Sequence, residues 1–366
     1  MKWKAVAAVL ALGILLSGCS AWLNGAYYWE EEYELPQSPE SGQLISAETY
    51  EQLKKALTDT VEAGKAQATI SVAEYPASQL EADVAELVDV IMQTHPITAY
   101  AVESIHYEIG TSAGEPVVLV QITYLHDRAD IRNIHKVADQ AAAEEVLYKA
   151  LSDCQPGIVL QIMAYTPVDF TQLVENYALE HPELVMELPT VTENVYPEAG
   201  QTRVVELKFT YQTSRESLKS MQIQVSPVFS SAVLYVSGDG AAYEKYSQLY
   251  SFLVERFDYK IETSITPTYS LLRHGVGDSR AFAMVYDAMC RMAGLECMVV
   301  SGTRDGVSHY WNIVYSNGTY YHLDLLWCAG GVGFHLLTDL DMTGYVWDYS
   351  AYPDCVIVEN MPEEVE

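Results

Sequence analysis

Ser279, His309 and Asp324 fall within one stretch of the chain, between Gly275 and Trp327. A hydroxyl, an imidazole and a carboxylate can serve as nucleophile, general base and orienting group in acyl transfer. Trp311 and Asn312 follow His309 closely and are candidate cleft residues beside it.

Two local elements must position these groups. Gly275-Val276-Gly277-Asp278 reads as a loop, and Ala281 to Ala293 as a helix with Phe282, Val285, Met289 and Met292 as its apolar stripe. Gly294 stops it, as a glycine just past a helix end does. Ser279 therefore lies at the helix N-terminus. Asp278 and Ser279 are both ordinary N-cap residues there. A nucleophile at the same place would face free backbone N–H groups and the positive end of the helix dipole.

Asn317-Gly318 between two alternating aromatic segments signals a two-residue hairpin turn. Counting outward pairs Ser316 with Thr319, Trp311 with Asp324 and His309 with Leu326. By strand parity, His309, Trp311, Asp324 and Leu326 should share one face. His309 and Asp324 then become diagonal neighbours within hydrogen-bonding reach. Alone, they read as a structural polar pair; beside a nucleophile, they read as base and orienter.

The order of these segments resembles the transglutaminase-like superfamily, the papain-like group of cysteine acyl-transfer enzymes. The matching residues are Ser279, Ala283, Gly294-Leu295-Glu296-Cys297, Val300-Ser301-Gly302, His309-Tyr310-Trp311-Asn312 and Tyr321-His322-Leu323-Asp324. Downstream, Leu337-Thr338-Asp339, Trp347-Asp348 and Tyr352-Pro353 are similar to the tail of bacterial members. The resemblance implies a triad at Ser279, His309 and Asp324. It also implies a departure, because the helix-start residue of that family is cysteine.

The exchange of sulfur for oxygen matters chemically. A cysteine can be stored as a thiolate beside an imidazolium, whereas a serine must lose its proton during attack. A site shaped for sulfur is expected to work poorly with serine, so the expectation is a retained fold with a silenced site that binds peptide or protein. The alternatives are a serine-dependent amidase, peptidase or acyl transferase, and a purely structural protein. Gly277-Asp278-Ser279-Arg280-Ala281 misses Gly-x-Ser-x-Gly at its last position.

The chain begins with Lys2 and Lys4, an apolar run from Ala5 to Leu16, and Leu16-Ser17-Gly18-Cys19, which resembles a bacterial lipobox. That implies lipidation of Cys19, a membrane-lipid anchor and an extracytoplasmic location. The run is short for a membrane-spanning helix. Without Lys2 and Lys4 the basic count falls from 20 to 18 against 50 acidic residues, a net charge of about −32. Such a charge argues against nucleic acid as a partner.

Five cysteines follow Cys19: Cys154, Cys290, Cys297, Cys328 and Cys355. Cys290–Cys297 and Cys328–Cys355 are candidate disulfides, with buried free thiols as the alternative. No pair has zinc-finger spacing, so no metal is expected, and no cofactor either.

The expected fold class is α+β. Residues 1–19 read as signal peptide and 20–45 as a tether. Residues 46–134 and 135–227 read as two copies of one α+β unit, 228–358 as the transglutaminase-like domain and 359–366 as an acidic tail. Each proposed copy carries Ala-Leu-x-Asp in a helix (Ala56 to Asp59, Ala150 to Asp153), a strand, a helix ending in His-Pro (His95-Pro96, His181-Pro182) and a strand ending in Thr-Tyr.

Overall fold

Helix α1 (Tyr50–Glu62) starts where Thr49 caps it, the Thr49 hydroxyl accepting from Gln52 N–H at 3.3 Å. It leads to β1 (Gln67–Ser71), α2 (Leu80–Thr94), α3 (Pro96–Ala101) and the hairpin β2 (Val102–Ser112) and β3 (Glu115–Tyr124), then to α4 (Arg128–Arg132). The next segment runs β4 (His135–Val137), α5 (Gln140–Ser152), β5 (Gly157–Ile162), α6 (Phe170–Glu180), β6 (Thr190–Tyr196) and β7 (Arg203–Thr210). In each sheet the helix-flanked strand pairs antiparallel with the second strand of the hairpin, β1 with β3 and β5 with β7. Position 134/135 falls between α4 and β4. His95 and His181 are helix-end residues, His95 Nδ1 lying 2.7 Å from Thr98 Oγ1.

The computed structural model describes residues 45–236, 238–261 and 263–356. Cys19, the tether through residue 44 and the acidic tail lie outside the described residues. Among those described, no helix is long and apolar enough to cross a membrane. The mixed α+β class read from the sequence is the class of the fold.

Helix α7 (Arg215–Tyr235) runs straight through position 227/228, where the sequence placed the start of the third region. Pro227 sits inside it. Leu218, Val225, Phe229 and Ala232 from its buried side join the same core as Phe282 and Tyr286. Burying that face outweighs the hydrogen bond a helical proline forfeits. Lys219 Nζ and Gln222 Nε2 each donate to Ser152 O at 2.9 Å, tying α7 to the second segment as well.

The C-terminal region continues with α8 (Ala242–Val254), β8 (Asp258–Tyr259), α9 (Pro267–His274), β9 (Val276–Gly277), α10 (Ser279–Met292), β10 (Cys297–Arg304), β11 (Val307–Ser316), β12 (Thr319–Leu323), α11 (Leu325–Trp327) and β13 (Tyr345–Trp347). The antiparallel sheet has the order β12-β11-β10-β13. Helix α10 lies between this sheet and helices α7, α8 and α9. Every residue from Ala281 to Cys290 is buried, so it is enclosed on all sides rather than amphipathic. Met292, read as the end of its apolar stripe, is 39% exposed.

Candidate functional site

Ser279 is the first residue of α10, and Asp278 caps the helix through a 2.9 Å hydrogen bond from Ala281 N–H to Oδ1. The approach to this turn needs glycine. A Cβ on Gly277 would come within 2.9 Å of the Ala281 Cβ. Ser279 itself is 8% exposed, and its Oγ accepts from the Tyr310 N–H at 3.3 Å.

The hairpin register expected from Asn317-Gly318 holds as far as the strands run. Ser316 faces Thr319 and Asn312 faces Leu323. Beyond Leu323 the chain leaves the sheet, and Asp324 becomes the N-cap of α11, its Oδ1 accepting from Leu326 N–H at 3.0 Å and Trp327 N–H at 3.1 Å. Leu326 therefore does not pair with His309, correcting that part of the parity argument. The diagonal contact survives: His309 Nε2 lies 2.8 Å from Asp324 Oδ2.

The same Oδ2 receives two groups that the sequence did not single out. Tyr345 Oη donates at 2.6 Å and Arg304 Nη1 at 3.3 Å. Arg304 and Tyr345 sit opposite each other on β10 and β13. A usable signal for Arg304 existed in Asp305-Gly306, with φ of +51° and +78°, a second two-residue turn that aligns Gly302 with His309. Tyr345 reaches the site from β13, far along the chain from its partners, and has no local signal.

Asp324 is 1% exposed. Burial disfavours its charge. The hydrogen bond and charge of His309, the Tyr345 hydroxyl and the Trp327 N–H outweigh that and hold its carboxyl below the usual range. Burial and the adjacent carboxylate push the Tyr345 phenol upward. With Nε2 committed to Asp324, the His309 ring presents Nδ1 as its remaining nitrogen.

Trp311 and Asn312, read as cleft residues, stand behind the site. They are 1% and 0% exposed. Asn312 Nδ2 donates to Ala283 O at 2.9 Å and Met298 O at 3.3 Å, joining α10 to the sheet. Trp311 Nε1 donates to His322 Nδ1 at 3.0 Å. Together with Ser279, Phe282, Asp324 and Leu325 they leave a gap too narrow for a water-sized molecule. Strand alternation buries the two on opposite sides: Asn312 against α10, and Trp311 among Val300, Ile313 and Trp347 on the other face of the sheet.

His322, Asp339 and Cys355 bring one potential ligand atom each to within 4.8 Å of one another. Since His322 Nδ1 accepts from Trp311, its proton sits on Nε2, 2.9 Å from Asp339 Oδ1. A cation would have to displace that proton and leave an imidazolate. Asp339 Oδ2 also accepts from Cys355 N–H at 3.1 Å. The trio is a hydrogen-bonded brace under Trp311. Cys154, Cys290, Cys297, Cys328 and Cys355 are all free thiols, so neither candidate disulfide is formed.

Residues 231–325 match the Transglutaminase-like superfamily. The chain carries a transglutaminase-like domain in that region. Among solved structures, a TGase shares 11% identity over 46% of this chain and 50% of its own, with a TM-score of 0.26. The chain thus spans half the length of that TGase. A candidate cysteine protease from Cytophaga hutchinsonii shares 14% over 43% and 70%, TM-score 0.26. A candidate protease from Parabacteroides distasonis shares 10% over 70% and 39%, TM-score 0.24. The chain matches no curated protein.

Proposed function

We propose that the transglutaminase-like domain binds a peptide or protein partner without turning it over. The carrying observation is at Ser279. Its Oγ accepts from the Tyr310 N–H, and the side chain is packed against a closed gap. A serine nucleophile must hand its proton to a base as it attacks and needs room for a tetrahedral centre. The His309–Asp324 pair supports the reading that the scaffold of a catalytic site has been kept. The family resemblance, with cysteine at the Ser279 position, supports the reading that its nucleophile has been exchanged.

The remainder of the proposal rests on the sequence. Cys19 would carry a lipid and anchor the protein to a membrane on its extracytoplasmic side. Residues 46–134 and 135–227 would be duplicated units holding the domain away from that surface, a reading supported by their common order of elements.

Two labelling reactions test the silence of the site. The wild type is treated with a serine-reactive fluorophosphonate, and Ser279→Cys with a thiol-reactive probe, the modified peptide being identified by mass. The expected result is an unlabelled Ser279 and a labelled Cys in the variant. Labelling of Ser279 in the wild type that disappears in His309→Ala would establish the serine-enzyme alternative instead. If neither protein is labelled, the site is only a structural remnant.

A further inference from the structure

A second opening lies next to the N-terminus of α10, on the side facing the second α+β segment. Its volume is about 350 Å³. The floor is apolar and already buried: Val185, Met186 and Met284 are 5%, 1% and 2% exposed. The rim is accessible, with Ile265 51% exposed. Arg280, the residue directly after Ser279, forms part of the wall.

Arg280 is the unusual member. Its Nε is buried and has no hydrogen-bond partner among the described residues. It lies over an aromatic face, the guanidinium 5.9 Å from the centre of the Tyr310 ring. A guanidinium has five N–H donors arranged for a planar, two-oxygen acceptor. The buried Nε is closed off, but the half-buried side chain lines the opening, so an acceptor entering there would meet the terminal N–H groups. The wall also holds Glu187, but both its oxygens are already engaged. One carboxylate oxygen accepts from Gln212 N–H at 2.5 Å and the other from Thr213 N–H at 3.0 Å. That pair of bonds makes Glu187 a brace between two loops and leaves Arg280 as the charged group of the opening whose Nε lacks an acceptor.

We propose that this opening binds a carboxylate attached to an apolar group. The carboxylate meets Arg280, and the apolar group lies over Met186, Met284 and Ile265. A peptide ending in an apolar residue has this chemistry, as does a free N-blocked amino acid. Arg280 is the one basic group in the wall, on a chain of net charge −30, so a ligand with several negative charges would be repelled overall while one with a single carboxylate would be held. The inference goes beyond the reading of Ser279 and is independent of whether that serine reacts.

The test compares an acid with its amide. N-acetyl-L-leucine and N-acetyl-L-leucinamide have the same shape and differ in the charged group. Calorimetric titration of the purified protein should show the acid binding at least tenfold more tightly. In Arg280→Gln that preference should vanish while the thermal midpoint stays close to wild type. Equal binding of acid and amide, or no binding of either, overturns the proposal; so does an undiminished preference in folded Arg280→Gln. Should the variant fail to fold, the acid–amide comparison in the wild type decides alone. A tripeptide ending in leucine, run alongside, separates the sources: tighter binding than N-acetyl-L-leucine assigns the opening to a peptide C-terminus, and weaker binding assigns it to the free acid.

Discussion

Asp324 Oδ2 lies 2.8 Å from His309 Nε2, and three more side-chain or backbone donors converge on the same carboxylate at 3.1 Å or less. The carboxylate thus caps a short helix, joins β13 to the sheet and fixes one imidazole nitrogen. Asp324→Asn keeps the shape but removes the charge and turns one acceptor oxygen into a donor facing donors. It should cost about 3 kcal/mol or more, in the range for breaking a buried charged pair. Urea unfolding measures this, and a loss below about 1 kcal/mol would show that the carboxylate is not structurally important.

The same group sets an acid limit. Its folded pKa is depressed, so its contribution is present above the unfolded value, near 3.9, and is lost as pH falls through the folded one. The stability gap between wild type and Asp324→Asn should therefore be constant above about pH 5 and close progressively below about pH 4. A gap that stays constant down to pH 2 would contradict this.

Asp287 behaves in the opposite way. Burial inside α10 raises its carboxyl to about 7, with Arg291 opposing the shift. Between the unfolded value and 7 the folded state holds a proton that the unfolded state has released, so stability falls as pH rises through that window. Asp287→Asn should flatten the fall between pH 4 and 7, and pH-dependent thermal melts would show whether it does. A slope equal to that of the wild type would mean that Asp287 is ionised in the fold.

Gly302 pairs with His309, and the Trp311 ring lies diagonally over it. A Cβ there would lie 2.8 Å from the Trp311 ring and would also press on the Val346 carbonyl of β13. Gly302→Ala should destabilise by about 1–3 kcal/mol, the usual cost of overpacking. A neutral substitution would mean that β13 can move away freely.

The five described thiols should resist a disulfide reagent such as dithionitrobenzoate at pH 8 in the folded protein and all react after unfolding. Burial supports this expectation, raising Cys328 to about 11 and Cys355 to about 12. Fewer than five reactive thiols after unfolding without reductant would indicate a bridge.

Much of the site was legible because its signals are local. Gly294 and Asp278 bracket α10, and Asn317-Gly318 sets the β11–β12 register by counting. The reading erred where tertiary packing took over. Parity could not foresee that Asp324 would leave the strand, because a helix cap and a strand residue look alike in sequence. Trp311 and Asn312 looked like cleft residues because they adjoin His309, yet β11 turns Asn312 toward α10 and Trp311 into the apolar cluster on the other face of the sheet. Arg304 and Tyr345 meet Asp324 from two further strands. The boundary expected at 227/228 falls inside α7, whose buried face carries the helix through Pro227.

Helix α7 has a practical consequence for anyone dividing this chain. It supplies Leu218, Val225, Phe229 and Ala232 to the core around α10 while Lys219 and Gln222 hold the end of α5. A gene fragment begun at Val228 would remove Leu218 and Val225 and start in mid-helix without a cap. One begun at Ser214, whose hydroxyl accepts from Ser217 N–H at 3.3 Å, would keep the whole element. The longer fragment should express as a folded protein and the shorter one should aggregate, so the usable seam in this chain lies fourteen residues upstream of the apparent one.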